Sequence, residues 1–132
     1  ATNTNTATYV AYCFASVQGY SKVGTYKGNG NSDGTFVYTG FRPAFLIYKN
    51  TDTADNWFIH DNKRQGYNDQ NELLFGDITQ AESTVDRIRF CANGFKTLDS
   101  DKGVNKSGDD YVYMAIAEAP LVNSNGVPGN AR

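Results

Sequence analysis

Short apolar runs separated by clusters of Gly, Asn, Asp, Ser and Thr fill this chain, and that texture predicts strands joined by turns. Residues 8–17 (TYVAYCFASV) predict an opening strand, and residues 19–26 alternate weakly between glycines. Lys27 to Gly34 is turn material, rich in residues that tolerate positive φ. Residues 35–39 resume strand character until Pro43, which has no N–H for a ladder and restricts Arg42 before it. Ala44 to Lys49 is apolar without interruption, the mark of a largely buried strand. After the polar loop 50–56, residues 57–60 predict its hairpin partner.

Further along, residues 61–66 are charged, and 71–75 meet Gly76 too soon to form a helix, so irregular structure is expected. Residues 85–91 and 95–98 flank Ala92-Asn93-Gly94, whose Asn-Gly step is a strong hairpin signal. A polar, Asp-rich loop over 99–110 leads to a last strand at 111–119. Residues 120–132 predict an extended C-terminal arm. The pattern gives about ten short strands with no room for a three-turn helix. The expected fold is an all-β, antiparallel β-sandwich, jelly-roll-like, with long Gly/Asn-rich loops and little or no helix. Residues 1–119 form its single domain.

The two ends of the chain resemble each other. Tyr9-Val10-Ala11-Tyr12-Cys13-Phe14-Ala15 follows Asn3-Thr4-Asn5-Thr6, and Tyr111-Val112-Tyr113-Met114-Ala115-Ile116-Ala117 follows Asn105-Lys106-Ser107-Gly108. Such a self-match suggests one unit of a tandem array. It also predicts that the opening strand 8–17 lies beside 110–119, within one subunit or between two.

Composition narrows the function classes. A formal net charge of −2 offers no basic stripe for nucleic acid. No run approaches the ~18 consecutive apolar residues of a membrane span. Cys13 and Cys91 sit in strand-like runs, either as free buried thiols or as a disulfide closing a long loop. Neither has the CxxC spacing or a nearby His that a metal site needs.

Catalytic patterns are weak. His60 is the single histidine, beside Asp61, and no Gly-x-Ser-x-Gly elbow occurs, so a surface or strand-end histidine is expected. The acid pairs Asp52/Asp55, Glu72/Asp77 and Asp109/Asp110 lie in polar loops, where they solvate turns; a glycosidase would need two acids across a sugar bond. Asp99, Asp101, Asp109 and Asp110 offer oxygen ligands, but without EF-hand spacing. The glycines around Gly28-Asn29-Gly30 precede no Lys-Ser/Thr and no helix, so hairpin geometry explains them better than a phosphate cradle. The chain is expected to be no enzyme and to need no cofactor. Tyr20, Tyr26, Tyr38, Tyr48 and Tyr67 lie beside turns, which suits sugar stacking or protein contact as well as plain strand placement.

One block is distinctive: Gly19-Tyr20-Ser21-Lys22-Val23-Gly24-Thr25-Tyr26-Lys27-Gly28-Asn29-Gly30, continuing through Val37-Tyr38-Thr39-Gly40-Phe41-Arg42-Pro43-Ala44. Together with Asn56-Trp57-Phe58-Ile59, Asn93-Gly94-Phe95-Lys96 and Tyr111-Val112-Tyr113-Met114, it resembles a domain of unknown function in structural proteins of tailed bacteriophages, marine ones in particular. The resemblance covers most of residues 8–118, with Cys91 standing where an aliphatic residue is expected. It carries no catalytic motif. It implies a virion structural protein, on a tail fibre or particle surface, that contacts copies of itself, other virion proteins or host-surface glycan. A capsid decoration protein or extracellular filament subunit is the alternative.

Overall fold

The computed structural model describes residues 4–64, 69–120, 122, 123 and 125, apart from the side chains of residues 69–71. Eight strands run in chain order: β1 (Ser21–Lys27), β2 (Phe36–Tyr38), β3 (Pro43–Asn50), β4 (Phe58–Asp61), β5 (Asp69–Phe75), β6 (Ser83–Cys91), β7 (Gly94–Thr97) and β8 (Asp110–Ala117). They pair in the order β1-β8-β3-β4-β5-β6-β7-β2, every pair antiparallel. The described residues contain no helix, and the sheet is nearly closed into a barrel. The fold is all-β. The two walls of a sandwich are here two halves of one sheet, joined through β5.

β3 and β8 form the middle of one wall, with Leu46 opposite Ala115, Tyr48 opposite Tyr113 and Asn50 opposite Tyr111. Side chains alternate across a strand, so Tyr111, Tyr113, Ala115 and Ala117 share one face and are buried. Tyr26 of β1 stacks on Tyr111 at 4.8 Å between ring centroids. Phe95 of β7 meets Tyr113 edge-on at 5.2 Å, which ties the opposite wall to this one. Tyr48, Phe58 and Phe75 continue the ring contacts toward β5. Full burial of one large apolar side chain contributes about 1.5–3 kcal/mol, and tilted or edge-on rings add to that. These aromatic side chains therefore dominate the core.

The polar loops before β2 and β8 are tied together by hydrogen bonds. Asn105 is fully buried and donates to the Asn29 side chain at 2.7 Å and to the Asn31 carbonyl at 2.8 Å. Gly30 N–H donates to the Asn105 carbonyl, and Gly108 N–H to that of Gly28. A Cβ on Gly28 would fall 2.2 Å from the Lys106 carbonyl oxygen, so close packing against the loop before β8 requires this glycine. Gly94 follows the same logic. The Asn-Gly step marks the β6–β7 hairpin as expected, but the glycine is needed because β2 passes so near: a Cβ there would lie 2.1 Å from the Val37 carbonyl.

Three expectations about local structure are corrected. Residues 71–75, read as irregular, belong to β5, which pairs with β4 and β6. Residues 8–17 form no strand apart from a single bridge between Val17 and Ser21. They do not lie in the ladder beside 110–117 either, because β1 and β3 occupy both edges of β8. Left-handed Gly19 turns the chain back, so that the segment meets the outer edge of β1 through Ser16. There the Ser16 hydroxyl accepts from Val23 N–H at 3.0 Å and donates to the Val23 carbonyl at 3.4 Å, standing where a strand's main chain would. The expected arm 120–132 lies almost wholly outside the described residues.

Candidate contact surface

β3 and β8 are apolar on both faces. The residues that alternate with the buried set, Phe45 and Ile47 on β3 and Val112 and Met114 on β8, remain half-exposed. With Val23 of β1 and Trp57 just before β4, they line a groove of about 580 Å³ on the outside of the sheet. Tyr12 and Phe14 of the opening segment complete the lining while staying 81% and 65% exposed. Trp57 is held from both sides of its backbone: its N–H donates to Asp77 at 3.1 Å, and its carbonyl accepts from Gly76 N–H at 2.8 Å. The Lys49 ammonium lies 5.8 Å from the indole centroid, within cation–π range. Among the described residues, no charged side chain lines the groove itself.

Of the tyrosines singled out by sequence, Tyr20 and Tyr38 are exposed, at 50% and 65%. Tyr38 borders a smaller hollow with residues 16–19, between the β1 and β2 edges, so neither tyrosine joins the outer groove. Tyr26 and Tyr48 are buried, which corrects their reading as surface aromatics. Proximity to a turn did not decide their direction; strand parity did, and each hydroxyl found an internal partner. The Tyr26 hydroxyl donates to the Val104 carbonyl at 2.8 Å, and that of Tyr48 lies 3.3 Å from His60 Nε2. Burial raises the pKa of both phenols. Tyr67 lies outside the described residues.

His60 is fully buried and stacks on Tyr48 one residue before the end of β4, so it is a strand-end histidine but a core one, not a surface one. Cys13 is exposed and Cys91 half-buried, and both are free thiols; the disulfide alternative is not realised, nor is Cys13 a buried one.

The candidate acids of the loops are engaged with the protein's own groups, whereas Glu72, read as a loop acid, lies within β5. Asp52 accepts from the Asp110 N–H at 2.7 Å, Asp55 from the Asn56 N–H, and Asp77 from Trp57. Asp110 pairs with Lys27 at 2.9 Å. Arg87 lies against Asp101 at 3.0 Å, with its guanidinium over the Phe58 ring. Asp109 sits in a buried polar cluster at the start of β8. It accepts from Asn50 at 2.9 Å and Thr53 at 2.7 Å, with the Lys106 ammonium at 3.2 Å. Those hydrogen bonds, and then the nearby ammonium, hold its pKa down at about 2. Among the described residues, no group of three His, Cys, Asp or Glu could hold a metal ion.

Sequence reasoning missed the groove and its residues Tyr12, Phe14, Phe45 and Trp57. The available signal was the unbroken apolar run in β3 and β8, since a strand apolar on both faces needs cover on both.

The arrangement is an all-β, nearly closed barrel with an apolar, aromatic contact face on its outside. Residues 1–120 match the family described as a domain of unknown function (DUF7483), and the chain belongs to that family. No curated protein and no solved structure matches it significantly.

Proposed function

We propose that this domain is a non-enzymatic structural component of a bacteriophage virion, carried on a tail fibre or another exposed part of the particle. There it mediates assembly and contacts host-surface glycan. The observation that carries this reading is the outer groove, where Trp57, Tyr12 and Phe14 gather over the outer face of the sheet. Exposed apolar patches rimmed by polar residues mark contact sites. The resemblance of the 19–30 and 37–44 blocks to phage structural domains supplies the setting. A non-catalytic role is supported by the acids of the loops, which serve as acceptors for backbone and lysine donors.

A capsid decoration protein or extracellular filament subunit, purely structural, is the second reading. It is favoured by the lining of the groove, which offers apolar surface and few hydrogen-bonding groups for a sugar. Immunogold labelling of particles tests the location, and an unlabelled particle would sink the virion reading. A glycan array with wild type, Trp57→Ala and Tyr38→Ala separates the two roles: binding lost in either variant supports attachment, and no binding by wild type supports pure assembly.

A further inference from the structure

We infer that the occupant of the outer groove is a second copy of this chain, which exchanges its residues 8–14 reciprocally with the first. The inference rests on the reading that this face is a contact surface, and it names the partner. Five observations converge. Residues 8–14 have a strand-forming sequence, yet no hydrogen bond ties residues 10–14 to any other described residue. Val10, Tyr12 and Phe14 stay 77%, 81% and 65% exposed even with Tyr12 and Phe14 on the groove. Tyr12 and Phe14 already border the groove, so its apolar lining accepts the aromatic side chains of this sequence, and most of their surface remains open to contact with another copy.

Charge agrees as well. Residues 4–17 contain no Asp, Glu, Lys or Arg, and among the described residues no charged side chain lines the groove, so the two can close without desolvating an ion. The pivot is defined too. The Ser21 hydroxyl donates to the Ala15 carbonyl at 2.8 Å, Ser16 bonds Val23, and Val17 bridges Ser21. The chain is pinned to β1 from Ala15 onward, and the residues before it are the ones that swing.

The test is sedimentation velocity on the full chain, under reducing conditions that keep Cys13 from cross-linking. Four samples suffice: wild type, the arm variant Tyr12→Ser/Phe14→Ser, the groove variant Val23→Lys, and an equimolar mixture of the two variants. Wild type is expected to form a dimer that dissociates on dilution, with emission of Trp57, the single tryptophan, moving to the blue as the dimer forms. Each variant alone is expected to lose roughly a hundredfold or more in association, as when central aromatic anchors are truncated. The mixture is expected to recover association, because one copy keeps an intact arm and the other an intact groove. Circular dichroism checks folding, and Met114→Lys replaces Val23→Lys if the latter unfolds. A monomeric wild type, self-association by either variant alone, or a mixture that stays monomeric would each overturn the exchange. None of these results bears on particle labelling, so failure here is distinguishable from failure of the virion reading.

Discussion

Residues 9–15 and 111–117 open on the same Tyr-Val pair and close on alanine, yet the first lies outside the ladder while the second is paired on both edges. In β8 the alternate residues Tyr111 and Tyr113 enter an aromatic core, and the strand is preceded by a loop that Asn105 locks to residues 28–31. The opening segment is preceded by a local turn in which Ala7 N–H donates to the Thr4 carbonyl. The two heptads differ in their third residue, where β8 has the core Tyr113 and the opening segment has Ala11. Strand propensity measures how well a residue fits neighbours already in place, and only one of these segments has them.

The comparison can be broken most sharply by hydrogen exchange. Amides of residues 111–117 are expected to exchange only on global unfolding, and those of residues 10–14 within the earliest time points; equal protection would erase the contrast. Truncation comes next. Tyr113→Ala should destabilise the domain by about 3–5 kcal/mol in denaturant unfolding, the range for large buried aromatics. Tyr12→Ala, measured on the dilute monomer, should stay within about 0.5 kcal/mol.

A smaller effect isolates the lock. Asn105→Ala removes two hydrogen bonds that this buried side chain donates to residues 29 and 31, each contributing about 0.5–1.5 kcal/mol, so about 1–3 kcal/mol is lost in the same unfolding measurement. Its counterpart Asn5→Ala, in the turn before the opening segment, should cost almost nothing.

The finest distinction is in pH. The folded pKa of Asp109 is depressed, so its contribution is fully present above the ordinary carboxylate value of 3.8 and is lost as pH falls toward about 2. Thermal melts should therefore show wild type above Asp109→Asn at neutral pH, with the gap closing across that acid window. A gap independent of pH would mean that the charge of Asp109 contributes nothing.

Much of the fold was legible where pattern and partner agree. The unbroken run Ala44 to Lys49 lies within β3, the Asn-Gly step marks the β6–β7 turn, and residues 111–117 lie within β8. Residues 71–75 escaped notice because β5 shows no apolar alternation over its polar first half, and ladders on both sides make it a strand. Residues 8–17 were misread for the opposite reason: their local pattern is right, but Ser16 offers β1 a hydroxyl instead of a main chain. Of the candidate tyrosines, Tyr20 and Tyr38 are exposed but stand away from the groove, so the site itself was not legible. The groove depends on which strands become neighbours, and no single stretch of chain states that.

The hydroxyl of Ser16 also bears on how copies can meet. Sheet edges are templates on which further chains can grow without limit. At Val23 both main-chain groups are already engaged by one side-chain oxygen, so a newcomer there finds no ladder to extend. Growth by backbone zipping is capped at that point, which leaves the greasy flank of the sheet as the surface on which the proposed exchange would close a pair and stop.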